Sequence, residues 1–235
     1  MGKIIAITGT DCSGKETQTK KLMENLGKIG YKVTYVSFPD YSSPTGKIIA
    51  GPCQGKFGES YFDEGFANVD PKIASLYYAA DRRYMKDRIE KLVENYDFVI
   101  MDRYVESNMA HQGGKITEKE KRLEFYKWEE TLEYDLLELP RPDMTIFLYM
   151  PYNFAMSLLE KREEKKDSVE MDENYLRNAE ATYLELVDLY NFELIDCTLE
   201  GEILSIEKIS EKVKKVTLSK FKDCKMLEKI KSEEV

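Results

Sequence analysis

Residues 9–17 read Gly-Thr-Asp-Cys-Ser-Gly-Lys-Glu-Thr and follow the apolar run Ile4-Ile5-Ala6-Ile7. Residue types at this spacing suit the gripping of phosphate. Glycines let successive backbone N–H groups turn toward phosphate oxygens, and a lysine places a point charge over a phosphoryl group in transfer. A helix starting just beyond adds its positive end. The phosphate-loop signature is Gly, four residues, Gly-Lys, then Ser or Thr. Gly9, Gly14 and Lys15 fit it, and Glu16 stands where the hydroxyl belongs.

A second group of chemistry-bearing residues, Asp102-Arg103-Tyr104, follows the apolar run Phe98-Val99-Ile100-Met101. A carboxylate at a strand end can hold Mg²⁺ through water or take a proton, and an arginine beside it can face the phosphate loop. Together with that loop the pair points to phosphoryl transfer. Phe38-Pro39-Asp40-Tyr41 offers an aromatic ring beside a rigid turn. Asp81-Arg82-Arg83-Tyr84 lies within a helical pattern, where adjacent arginines point to different sides and at most one of them reaches a common site.

These residues need a frame, and the hydrophobic pattern supplies one. Leu22, Met23, Leu26 and Ile29 form the buried stripe of a first helix, stopped by Gly30. Val33 to Phe38 reads as a second strand ended by Pro39. Pro71 opens a long helix carrying Ile73, Leu76, Tyr77, Ala80, Ile89, Leu92 and Val93; proline there loses only an N–H that was already unpaired. Residues 98–101, 145–149 and 194–195 give three more strands, with helices at roughly 118–138, 152–162, 173–190 and 204–217 between and after them. Alternating strands and helices predict an α/β fold, a parallel sheet with helices on both faces and ligands beyond the strands' carboxyl ends. Every motif above falls at such an end or on the helix after it. One domain over residues 1–218 is expected, with the charged segment 219–235 as a surface helix or tail.

Composition bounds the function. A chain of 235 residues suits one α/β domain with a sizeable core. There is no apolar run of bilayer length and no cleavable signal pattern, so a cytoplasmic protein is expected, without a membrane partner. Cys12, Cys53, Cys197 and Cys224 lack metal-ligand spacing and read as reduced thiols. A net charge of −9 argues against a nucleic-acid track and favours a small-molecule acceptor.

The order and spacing of these pieces over roughly residues 1–200 resemble thymidylate kinase, the nucleoside monophosphate kinase family that phosphorylates dTMP with ATP. The resemblance runs through the phosphate loop with Asp11, Phe38-Pro39, Asp81-Arg82, the stretch from Asp102 to Asn108, Gln112-Gly113-Gly114 and Leu139-Pro140-Arg141-Pro142-Asp143. It implies a three-layer P-loop kinase fold with a five-stranded parallel sheet, paired as a homodimer.

Roles follow from the resemblance. Gly9, Thr10, Asp11, Cys12, Ser13, Gly14, Lys15, Glu16 and Thr17 would bind ATP, with Lys15 on its β and γ phosphates. Asp11 would meet the deoxyribose 3′-hydroxyl or the Mg²⁺ shell, and Asp102 the metal. Phe38, beside Pro39 and Tyr41, would pack on the thymine, and Arg82 would bond its carbonyl edge or neighbouring phosphate-site groups. Arg103 would span the acceptor phosphate and the transferred group, while Asn108, His111 and Gln112 line the base and sugar pocket. Cys12 replaces the arginine that one branch carries inside the loop. The resemblance therefore implies a lid at about 161–173 supplying the arginine, with Arg162 the leading candidate.

The sequence departs from the family pattern at Glu16, Asp40, His111 and the connection Gly51 to Asp70, which has no clear family role and is expected to shape either the acceptor pocket or a dimer contact. Two other readings stand beside dTMP kinase. A deoxynucleoside kinase of similar fold would need a carboxylate at the end of the second strand as base, where this chain has Ser37-Phe38-Pro39. A nucleotide-binding module with impaired catalysis would follow if Glu16 disabled the loop.

Overall fold

The computed structural model of the chain describes residues 1–56, 58–161 and 173–222. Strand β1 (Lys3–Gly9) runs into helix α1 (Lys15–Lys28), and β2 (Val33–Ser37) follows. A short helix α2 (Pro44–Ile48), a π-helical turn (Ile49–Cys53) and a 3₁₀ turn (Phe66–Asn68) lead to α3 (Pro71–Tyr84) and α4 (Lys86–Asn95). Then come β3 (Phe98–Asp102), α5 (Val105–Gly113), α6 (Lys119–Glu130), β4 (Met144–Tyr149) and α7 (Tyr152–Lys161). The described chain closes with α8 (Glu173–Tyr190), β5 (Glu193–Asp196), β6 (Thr198–Leu199), β7 (Glu202–Ile203) and α9 (Ile206–Lys220).

Five strands form one parallel sheet in the order β2-β3-β1-β4-β5, as the alternating pattern predicts. Successive strand residues face opposite sides, which splits the core in two. Ala6, Val99, Met101 and Phe147 pack with Ile89, Tyr104, Tyr183 and Leu186 on one face. Ile5, Ile7, Ile100 and Leu148 pack with Leu22, Leu26 and Val213 on the other. Register sets the site: Ile7 and Ser37 both lie beside Asp102, so the carboxyl ends of β1, β2 and β3 finish at one edge. β6 and β7 form a separate hairpin, turned through Glu200 (φ 52°) and Gly201 (φ 80°), the positive pair that two-residue hairpin loops require.

Local structure departs from the pattern in several places. The predicted long helix from Pro71 divides at Met85. There ψ is −4° and the N–H is shared between the carbonyls of Asp81 and Arg82, at 3.2 and 3.1 Å, which tightens the turn. The helix expected over 118–138 is α6 followed by a π-helical turn, Thr131–Leu136. β2 ends one residue before Phe38, although Phe38 N still donates to Asp102 O at 2.9 Å. α9 passes residue 218, and Phe221 packs edge-on against Phe98 at 5.4 Å, so the packed domain reaches that residue. The expected lid arginine Arg162 and most of the expected tail lie outside the described residues. Among the described residues no helix is long and apolar enough to cross a membrane, and no disulfide joins Cys12, Cys53 or Cys197.

Candidate active site

The phosphate loop joins β1 to α1 through two left-handed residues, Cys12 (φ 56°) and Gly14 (φ 76°), which turn the backbone back on itself. Gly9 has a separate reason to be glycine. A Cβ there would stand 2.6 Å from both the Leu148 carbonyl oxygen and Ser13 Oγ. Thr10 anchors the loop to the end of β4, because its hydroxyl donates to Met150 O at 2.8 Å and accepts from Met150 N at 3.0 Å. Lys15 is buried and folds back over the loop, its Nζ donating to Thr10 O at 2.8 Å and Gly9 O at 3.2 Å. Burial, joined by the Arg103 charge, lowers the ammonium to about 8 against the pull of Asp11 and Asp102.

Arg103, directly after β3, sits at φ 62° with its N–H on Ile7 O at 2.9 Å. That conformation is uncommon for a residue with a side chain and turns the guanidinium across the mouth of the loop. Nη2 donates to Asp11 Oδ1 at 3.1 Å, and Nη1 lies 3.2 Å from His111 Nε2. Burial pushes the Asp11 carboxyl up, but the charges of Lys15 and Arg103 more than offset it and hold it at about 2. Burial drives His111 down to about 3. Its ring stacks on Tyr175 at 5.7 Å and meets Tyr183 edge-on.

Beside this arginine opens a cavity of about 440 Å³. Asp11, Phe38, Pro39, Tyr41, Arg82, Arg103, Asn108, His111 and Gln112 all line it, so every residue expected to touch the acceptor comes together. Phe38 is also a core residue, tilted against Tyr104 at 5.8 Å. Arg82 is buried and pairs with buried Glu133, whereas Arg83 is exposed, which divides the two arginines as the helical geometry predicts. Glu16 also lines the cavity but is exposed and pairs with Lys20 at 2.5 Å, one turn along α1. Thr17 is exposed.

Asp102 has the chemistry for a magnesium partner. It is a mostly buried carboxylate at a strand end, raised by that burial, with a single long side-chain hydrogen bond from Ser37 at 3.4 Å. Asp11 fits less well, since its carboxylate already carries the Arg103 ion pair. The described residues contain no cluster of three or more acidic, histidine or cysteine side chains that could hold an ion without help from a substrate. A metal shared between one carboxylate, water and substrate phosphates is the mode Mg²⁺ favours.

Sequence reasoning missed several residues of the site. Gln54 and Lys56, from the connection without an assigned role, line the cavity. Lys56 Nζ lies 4.4 Å over the Tyr41 ring and donates to its hydroxyl at 2.9 Å. Tyr41 in turn donates to Gln54, which donates to Tyr78 at 3.0 Å. Asp81 accepts from Asp40 N, Ser43 Oγ and Thr45 Oγ1 at 2.6–2.8 Å and so fixes the turn after β2. The hydroxyls of Ser43 and Thr45 after that turn are the signal for such a knot, but the loop's return to the cavity has no local signature.

A glycine-framed loop at the end of the central strand of a parallel sheet, with a polar cavity beside it, is the arrangement of the P-loop kinases that act on small nucleotides. The family described as Thymidylate kinase matches residues 7–209. A probable thymidylate kinase of Metallosphaera sedula is 30% identical over 204 residues, covering 86% of this chain and 88% of its own. The thymidylate kinase of Mycobacterium tuberculosis is 32% identical over 190 residues, covering 78% and 85%. A solved thymidylate kinase from Candida albicans superposes with a TM-score of 0.67 over 93% of this chain and 92% of that one; at 24% identity it speaks to the fold alone. The chain belongs to the thymidylate kinase family. It is a phosphotransferase that phosphorylates dTMP.

Proposed function

We propose that the protein transfers the γ-phosphoryl group of ATP to dTMP, giving dTDP, with dTMP in the cavity and ATP on the loop. One observation carries this reading: Arg103 stands between the phosphate loop and a cavity lined by an aromatic ring, amides and Arg82. The acceptor oxygen of a monophosphate is already anionic, so the site needs positioning and spread positive charge more than a base. The backbone N–H groups from Asp11 to Thr17 and Lys15 hold the donor's β and γ phosphates. Lys15 leaves its two loop carbonyls to do so. Arg103 reaches the acceptor phosphate and the transferred group, and Arg162 adds charge from the segment after α7. Phe38 packs on the base, Pro39 and Tyr41 close its side, and His111 and Gln112 line the sugar and base. Asp102, through water, would hold Mg²⁺, which supplies charge neutralisation of the phosphate oxygens.

Ser37-Phe38-Pro39 at the end of β2 carries no carboxylate of its own, which fits this reading better than a deoxynucleoside kinase. Asp40, the nearest carboxylate along the chain to the end of β2, accepts from Ser42 N and Oγ and does not line the cavity. We also propose a cytoplasmic homodimer. Ile73, Leu76 and Tyr84 of α3 and Leu136 lie 47–70% exposed, an apolar stripe that a second copy would cover. The deciding assay measures ADP formed with dTMP, dUMP and thymidine as separate acceptors. Turnover of dTMP with none of thymidine is expected, and the reverse would overturn the proposal.

A further inference from the structure

Among the cations that line the acceptor cavity, Lys56, Arg82 and Arg103, only the ammonium of Lys56 is committed to no carboxylate of the described residues. Arg82 is paired with Glu133 and Arg103 with Asp11, so each meets the cavity with its charge offset. Two further carboxylates stand on the wall. Glu16 pairs with Lys20, but Asp81 is bonded to neutral donors alone, the Asp40 N–H and the hydroxyls of Ser43 and Thr45. Without Lys56 the wall would carry an excess of negative charge, which repels an anionic ligand.

The backbone fixes where this lysine stands. Its N–H donates to Ala50 O at 2.8 Å, and Gly55 before it turns at φ 68°. Ser60 Oγ donates to Cys53 O at 2.8 Å and accepts from Phe62 N at 3.1 Å. Phe62 packs on Phe66 and Tyr77, and Lys115, just after α5, donates to Val69 O at 2.9 Å. The connection is thus a packed arm. From it Lys56 Nζ donates to the Tyr41 hydroxyl, which donates to Gln54 Oε1 at 3.2 Å, while Gln54 Nε2 donates to the Tyr78 hydroxyl. An ammonium has three donors, and the phenol takes one of them.

We propose that Lys56 is a further binding residue for the phosphate of the acceptor nucleotide, so that the connection makes the cavity prefer a nucleotide to its nucleoside. This rests on the reading that the cavity holds dTMP. Arg103 shares its charge with Asp11 and must also serve the transferred group. A second cation, unshared, draws in an acceptor that has to settle beside a triphosphate of like charge. Exchanging the phenol oxygen for a phosphate oxygen sets the ammonium against full negative charge, which Coulomb attraction favours.

The test measures Kd for dTMP and for thymidine by calorimetric titration of the wild type, Lys56→Met and Lys56→Arg. Methionine keeps an unbranched stem without the charge, and the exposed position leaves the fold intact. In the Met variant the dTMP Kd should rise about tenfold or more, the scale of a lost hydrogen bond to a charged group. The thymidine Kd should stay within about twofold, and arginine should hold both ligands near their wild-type values. Equal weakening of dTMP and thymidine would make Lys56 a mere prop for Tyr41, and no weakening of either would remove it from the site; each result overturns the proposal. ³¹P NMR gives a readout that a prop would not move. The second ionisation of the phosphate, near about 6 when free, should be lowered in dTMP bound to the wild type and shift upward in the Met variant. The same value in both proteins also overturns the assignment. A wild type that binds no dTMP would sink the reading of the cavity instead.

Discussion

Arg103 Nη1 lies 3.2 Å from His111 Nε2. A guanidinium only donates, so His111 must accept there, which leaves its proton on Nδ1 and its ring neutral. The chain's single histidine is therefore a prop for the arginine and not a proton carrier.

That relationship gives a stability prediction. His111 is near 3 in the folded protein and near 6.5 when unfolded. Between those values the unfolded chain binds more protons, so stability is intact above about pH 6.5 and is lost as pH falls toward 3. Relative to His111→Gln, the wild type should lose about 1–2 kcal/mol between pH 7 and 5. Paired denaturant titrations at the two pH values check it. Equal losses in both proteins would show that the histidine is not the cause.

Arg103→Ala should lower turnover by about 10³-fold or more, the range for arginines that stabilise the charge of a transferring phosphoryl group. ATP binding should change little, because the loop amides and Lys15 remain. Steady-state rates together with calorimetric titration of ATP separate the two effects. Turnover within a fewfold of wild type would remove Arg103 from the chemistry.

Lys15, lowered to about 8 by burial, should lose its charge in the free enzyme as pH rises through that value. Since kcat/KM reports the free enzyme, kcat/KM for ATP should decline above about pH 8. The fall in kcat should come at higher pH, where bound phosphates keep the lysine charged. A pH profile of kcat/KM that stays level to pH 9.5 would contradict the buried, titrating lysine.

Glu16→Ala should keep most activity and leave the Mg²⁺ concentration for half-maximal rate nearly unchanged. The carboxylate is exposed and turned to Lys20, and an exposed pair of this kind, screened by solvent, contributes little. Rates titrated against Mg²⁺ for both proteins decide the matter. A large rightward shift in the variant would make Glu16 a metal ligand.

The chemistry facing the phosphates was legible because it is local. Gly9, Gly14 and Lys15 are tied to one turn of backbone, and Asp102-Arg103 to one strand end, so spacing along the chain carries the geometry. Strand positions were legible for the same reason, as short apolar runs between turns. Lys56 and Gln54 escaped because their place depends on how a glycine-rich connection returns to Tyr41 and Tyr78. Glu133, the partner of Arg82, escaped because one turn of helix holding Glu129, Glu130 and Glu133 looks like a solvated face until α6 packs against α5. The break at Met85 left no proline or glycine to mark it.

Arg103 itself carries one more implication. Its backbone is held at φ 62°, where a side chain costs on the order of 1–3 kcal/mol and glycine sits without strain. The one replacement that would relax this joint is also the one that strips the charge from the site. Selection for thermal robustness and selection for turnover therefore pull this position in opposite directions, and a screen rewarding only heat resistance is expected to drift toward a sturdier but idle enzyme.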